Sequence, residues 1–238
     1  MLNELSPLKR YWLTKSSNIP IRYEGWTRDR IVEHLGKFPI LIDEWLDDAI
    51  DGKIILNPGG VGTTGVGLLF DGGPGEGKTT HAVVTAAEFI RRLPDDENEM
   101  RKVLHVKQGE LGRSFRAIHF LTFPEFLSLK KAAFDAEPEE RREIHRQIEG
   151  FHGRAKEDWM NVRLLIIDDL GKENSSTYND SSFDDLLRSR YDKGLPTIIT
   201  TNHMRENWAV QYGEAMGSFA HEAFRRVRIL NKDLRRAK

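Results

Sequence analysis

Gly72-Gly73-Pro74-Gly75-Glu76-Gly77-Lys78-Thr79 is a complete G-x-x-x-x-G-K-[ST] phosphate-binding loop, and the apolar run 66–70 stands directly before it. The spacing answers a strict chemical demand. Glycines let successive backbone N–H groups turn inward around phosphate oxygens, the lysine reaches the β and γ oxygens, and the following hydroxyl can ligate Mg²⁺. Residues 78–92 have helix-forming composition, with Ala82, Val83, Ala86, Ala87 and Ile90 at helical spacing, so a helix N-terminus would face the phosphates. Strand, loop and helix come in the required order, which separates this stretch from a glycine-rich turn with a coincidental lysine. Its phosphate-contacting residues are expected to be Gly73, Pro74, Gly75, Glu76, Gly77, Lys78, Thr79 and Thr80, with ATP as the ligand and Mg²⁺ on Thr79. The glycine-rich run 59–65 just upstream has no lysine and no helix after it and reads as a connector.

The chain has 238 residues, 39% of them apolar, which suits one α/β domain with a short appendage and a buried core. No signal-type apolar segment opens it, and the weakly apolar stretch 54–70 is interrupted by Pro58 and many glycines. A soluble, cytoplasmic protein with no membrane association is expected. Zero cysteines excludes disulfides, zinc–cysteine modules and thiol catalysis. The eight histidines show no metal-ligand spacing. Net charge is −1, so no global field favours nucleic acid, yet the last fifteen residues carry a marked basic excess, either a local contact or a solvated terminus.

Ser6-Pro7 followed by Leu8, Tyr11 and Trp12 predicts a short capped helix whose apolar face either packs on its own domain or docks into a partner's groove. Thr27 caps a helix ending at Gly36. Pro39 opens another with a stripe of Ile42, Trp45, Leu46, Ala49 and Ile50. A second strand is expected over 117–121, then a capping box Thr122-Phe123-Pro124-Glu125 starting a helix to about Phe134, and a charged helix over 138–149 with Ile144 and Ile148 as its apolar line. The run Leu164-Leu165-Ile166-Ile167 is too continuously apolar for a half-exposed strand and predicts a central position in a parallel sheet. A helix over 182–192, a buried strand Thr197-Ile198-Ile199-Thr200, two short helices and a strand over 227–230 complete the chain. This alternation predicts a parallel sheet flanked by helices, with ligands at the carboxyl ends of its strands.

Three polar groups stand at such ends: the phosphate loop, Asp168-Asp169, and Asn202. Asp168 is expected to hold the metal together with Thr79. Asp169 would orient and polarise the attacking water, and Asn202 would hydrogen-bond that water or the γ-phosphate, so that Lys78, Asp169 and Asn202 form the catalytic set.

These residues carry a resemblance. The phosphate loop (Walker A), Leu165-Ile166-Ile167-Asp168-Asp169-Leu170-Gly171, the segment from Arg190-Tyr191 to Thr200-Thr201-Asn202, and Asn231-Lys232-Asp233-Leu234-Arg235 resemble the AAA+ P-loop ATPases of the DnaC/IstB type, over roughly residues 18–236. The family comprises bacterial and phage replicative-helicase loaders and the ATPase helpers of some transposases. The resemblance implies an AAA+ ATPase domain over 18–238 behind a helical extension, 1–17. It also implies a bacterial, or phage-encoded, replication factor that self-associates with ATP at subunit interfaces, binds single-stranded DNA and loads or remodels a replicative ring helicase. The alternatives are a helper of a transposase, a nucleotide-switch adaptor, or a small-molecule phosphoryl transferase, for which no compact arginine-bearing lid follows Asp169.

Two departures from the family pattern stand out. Where the family has an arginine reaching a neighbour's γ-phosphate, this chain reads Ser218-Phe219-Ala220, leaving Arg205, Arg225 and Arg226 as substitutes. Only about seventeen residues precede the resemblance, where a loader usually carries a helicase-grasping domain, so the helix over 7–15 or another surface would grip the helicase. Asp169 is one methylene shorter than the glutamate common in vigorous ATPases of this class, which predicts slow, partner- or DNA-stimulated hydrolysis. DNA contact is expected from Arg113, Arg116, Lys130, Lys131 or the C-terminal arginines, with Phe115 stacking on a base.

Overall fold

A computed structural model describes residues 4–54, 64–171 and 176–230. Three helices, α1 (Pro7–Tyr11), α2 (Arg28–Leu35) and α3 (Ile40–Ile50), precede β1 (Gly67–Asp71). Then follow α4 (Lys78–Arg92), α5 (Glu97–Leu104), β2 (Ile118–Thr122), α6 (Phe123–Asp135), α7 (Pro138–His152), β3 (Leu164–Leu170), α8 (Thr177–Asp192) and β4 (Thr197–Thr201). The chain closes with α9 (Trp208–Tyr212), α10 (Glu214–Ala223) and β5 (Phe224–Arg228). The strands lie in the order β2-β3-β4-β1-β5, and all neighbours are parallel. The apolar strand runs are explained by a core on each face. Leu68, Phe70, Leu164, Ile166 and Ile198 enter one cluster with α3 and α4, while Leu69, Leu165, Ile167 and Ile199 enter the other with α6, α8 and α10. The central strand is β4, with β3 beside it.

Caps set the helix limits. The Thr27 hydroxyl accepts the Arg30 N–H at 3.2 Å and α2 ends at Gly36. Thr122 and Glu125 form the reciprocal capping box at α6. Three features differ from the sequence reading. The short helix α5, capped by Asp96, buries only Met100 and Leu104, too little periodicity to announce a helix. α8 starts five residues early, at Thr177, because its polar first turn is held by the Ser176 cap rather than by apolar spacing. β5 begins at Phe224, its arginines lying on an edge strand in which Phe224 and Val227 face the core. The connector 59–63 and the motif 231–235 fall outside the described residues.

The N-terminal apolar face is turned onto its own chain. Trp12 is fully buried, its Nε1 donates to Gly112 O at 2.9 Å, and its ring packs on Phe115. Lys9 is buried with Nζ on Leu93 O (2.5 Å) and Asp95 (2.6 Å). Beyond a π-helical turn, Trp12–Ser16, the Ser17 carbonyl accepts the Phe120 N–H at 2.7 Å and Asn18 Nδ2 donates to Phe120 O at 3.0 Å, so residues 17–18 line the outer margin of β2.

Arg190 secures the other interior strands. It is fully buried, and its five N–H bonds have five acceptors: Thr197 Oγ1, Phe151 O, Val162 O, Arg163 O and Pro196 O, all within 3.2 Å. Burial and the adjacent Arg163 push its pKa down to about 9, which leaves it charged at neutral pH. Arg190→Met should lower stability by roughly 3 kcal/mol or more, since four carbonyls and a hydroxyl lose their donor in a dry site. An unchanged urea midpoint would refute this.

Two imidazoles predict acid sensitivity. Burial, followed by nearby Arg116 for His119 and against the pull of Asp185 for His152, pushes each pKa down to about 4. The unfolded chain binds a proton near pH 6.5 that the native state refuses, so stability falls as pH drops from about 6.5 toward 4, by roughly 1–2 kcal/mol per histidine at pH 5. Urea midpoints at pH 7.5, 6 and 5 should decline, and His152→Gln should flatten the trend.

Candidate functional site

Parallel topology brings the carboxyl ends of β1, β3 and β4 to one edge, and the polar residues after them meet there. The loop following β1 leads into α4, whose N-terminus opens at Gly77. Gly72 is irreplaceable locally: φ is +155°, and a Cβ would lie 2.3 Å from Ile229 O and 2.5 Å from Glu76 Oε2. Lys78 Nζ donates to Gly72 O (3.0 Å), Gly73 O (2.6 Å) and Asn202 Oδ1 (2.8 Å). Thr79 Oγ1 donates to Asp168 Oδ1 at 2.7 Å. Thus Lys78, Thr79, Asp168 and Asn202, read from three separate stretches of sequence, form one cluster.

The structure adds Thr200. Its hydroxyl donates to the same Asp168 oxygen at 2.5 Å and accepts the Asp169 N–H at 3.1 Å. A buried threonine one position from the carboxyl end of β4, beside the acidic end of β3, was the available signal, though Thr197 and Thr201 flank it on the same strand. Asp168 is 1% exposed, and burial raises its pKa above the ordinary carboxylate value, opposed by the hydroxyls of Thr200 and Thr79. The pairing of β3 with β4 shifts between Ile167 and Leu170, and Asp169 sits in this irregularity at φ +58°. Such a bulge turns successive side chains out of simple alternation: Asp168 stays buried while Asp169 is half-exposed.

Other expected loop residues are placed as follows. Pro74 is exposed, Gly75 has φ +77°, and Thr80 lies in the first turn of α4. The Glu76 carboxylate folds back to accept the Gly73 N–H at 2.6 Å. Below the loop, fully buried Asp71 accepts Arg226 Nε at 2.7 Å and the Arg205 N–H at 3.2 Å, and Arg226 also pairs with Glu206. Arg225 pairs with Asp48 at 2.5 Å. Of the arginines considered for a role at a neighbour's nucleotide, Arg225 and Arg226 are therefore engaged within the chain.

The expected base-stacking role of Phe115 is overturned. Phe115 is fully buried between Trp12 and the Arg163 guanidinium. Among its basic companions, Arg116 is half-buried against Phe151 and Lys130 bonds Ser182 at 3.0 Å, while Arg113 and Lys131 are exposed. The terminal basic residues 232–238 fall outside the described residues.

The residues fit the ligands that the loop calls for. A buried lysine held by neutral oxygens at a helix N-terminus suits a polyphosphate. A hydroxyl and a buried carboxylate, both oxygen donors, suit Mg²⁺, which Thr79 and Asp168 would hold. Lys78→Ala should abolish triphosphate binding, and Asp168→Asn should remove its Mg²⁺ dependence while leaving the thermal melt within a few degrees. Fluorescent-nucleotide titration with and without Mg²⁺ checks both.

No family model and no curated protein matches this chain. Solved structures do. The crystal structure of the DnaC helicase loader aligns over 89% of this chain and 100% of its own, with 21% identity and a TM-score of 0.55. That of DnaI aligns over 90% and 96%, with 17% identity and a TM-score of 0.55. The chain shares its fold, a parallel sheet flanked by helices, with these two structures. No helix among the described residues is long and apolar enough to cross a membrane.

Proposed function

We propose that this chain is an ATP-dependent replication factor that loads or remodels a replicative ring helicase on single-stranded DNA through nucleotide-controlled self-association. The observation that carries this reading is the Lys78–Asn202 hydrogen bond. It ties the phosphate lysine to the first residue of a loop, 202–207, that is anchored onward. Arg205 gives its N–H to Asp71, and Glu206 reaches Arg226 on the edge strand β5. Replacing Asn202 by a phosphate oxygen at Lys78 would change the restraint on this loop and, through it, on the surface around β5. That is switch chemistry rather than a substrate-enclosing lid.

Mg²⁺, when bound, neutralises charge on the phosphates. Lys78 binds and orients them, Asp168 and Thr79 position the metal, and Asp169 orients and polarises water from its half-exposed place on the bulge. The short reach of Asp169 lowers turnover by about ten- to a hundredfold against a well-placed base. The fold shared with a protein described as a helicase loader supports the choice of partner.

Size-exclusion chromatography of wild type and Lys78→Ala, with and without ATP and an oligonucleotide, tests the reading, together with pull-down of a replicative ring helicase. ATP and oligonucleotide together should drive wild type, and not Lys78→Ala, into larger species that retain the helicase. A monomer indifferent to both would overturn the proposal, as would a basal turnover of roughly hundreds per second.

A further inference from the structure

A second concavity lies at the other end of the sheet. The loop into β3, the turn into β4 and the end of α5 enclose a polar cleft of about 870 Å³ at the amino ends of the strands. The strands β3 and β4, seven and five residues long, separate it from Asp168 and Asn202 by roughly 15–20 Å. Its lining carries five basic side chains, Arg101, Lys102, Lys107, Lys156 and Lys193, against one acid, Asp158. In a chain of net charge −1 this is a local concentration.

The nearby acids are largely committed. Asp158 takes both Nη groups of buried Arg163, at 3.2 and 2.5 Å, and Glu99 pairs with Lys102 at 2.6 Å. Glu110 accepts the Lys107 backbone N–H at 3.2 Å. Lys107 and Lys156 are exposed, and their ammonium groups have no ion-pair partner among the described residues. Lys193 is half-buried with Nζ on Gly153 O at 2.7 Å, and burial, then Arg154, lowers its pKa. Cations held together in a roomy, polar depression constitute a site for several phosphates.

We infer that this cleft binds the sugar–phosphate backbone of single-stranded nucleic acid. Its lining has no aromatic platform, so contact is with phosphates and independent of sequence. Concavity favours a single strand, which can follow the depression; the phosphates of a duplex lie on a convex surface and would meet only the rim. The inference rests on the DNA-acting reading above and names the surface it uses, distinct from Arg113, Lys130 and Lys131.

The test is fluorescence anisotropy of a labelled thymidine 25-mer across a salt series. It uses full-length wild type, Lys107→Glu/Lys156→Glu, and an equal-charge control, Lys37→Glu/Arg142→Glu, which alters exposed cations elsewhere. The cleft variant should bind about tenfold more weakly or worse, equally for mixed-sequence oligonucleotides. Its salt slope should drop by about 1.4, two phosphates at ~0.7 each. The control should stay within about twofold, and circular dichroism should show all three folded. Cleft-variant binding within twofold of wild type, with an unchanged slope, would overturn the cleft and leave the DNA-acting reading standing. A wild type that binds no oligonucleotide would overturn both.

Discussion

The arrangement hangs on a guanidinium in a place where a cation is expensive. Arg190 lies out of water at the amino ends of β3 and β4, and the site depends on what happens at their other ends. Desolvating a cation is tolerable only when its donors are matched, and here each N–H finds an oxygen fixed by backbone geometry. The carbonyls come from the end of α7, the entry to β3 and the entry to β4. One side chain therefore sets the mutual position of three segments. Because strands are stiff and the pairing of β3 with β4 is even up to Ile167, fixing their starts constrains where Asp168 and Asn202 finish.

The opposite pole obeys the same economy with inverted sign. Asp168 is a buried carboxylate whose protein partners are two hydroxyls, from α4 and β4, rather than a cation. Hydroxyls stabilise the anion without neutralising it, which leaves its charge available to a divalent ion. Lys78 is likewise held by two loop carbonyls and an amide oxygen. Dipolar restraint keeps Asp168 in place while preserving its appetite for opposite charge, the condition for a site that is organised before its ligand arrives.

Much of this was legible in the sequence because it rests on local rules. The G-x-x-x-x-G-K-T spacing, the apolar strand runs and the carboxylates after them each encode position along the chain, and parallel topology converts position into proximity. The Thr122–Glu125 box and the Thr27 cap were readable for the same reason. What escaped depends on partners distant in sequence. Thr200 matters only because β4 lies beside β3, and the fivefold use of Arg190 needs three segments whose meeting no window of sequence reveals. Phe115 looked available to a nucleobase since it sits among arginines; in space it is buried between Trp12 and the distant Arg163. Short α5 and the polar start of α8 were missed because caps, not periodicity, define them.

The pairing of residues 17–18 with β2 has a consequence for how the molecule behaves in company. Parallel sheets expose unsatisfied N–H and C=O groups along their outermost strands, and such a row recruits any passing extended chain. Here the N-terminal segment occupies that row at Phe120, and buried Trp12 and Lys9 hold the segment down. Any contact with another chain is thereby steered away from indiscriminate strand addition at this margin. A version trimmed from residue 19 onward would keep its phosphate loop, lose this guard and present the bare margin of β2 to other extended chains.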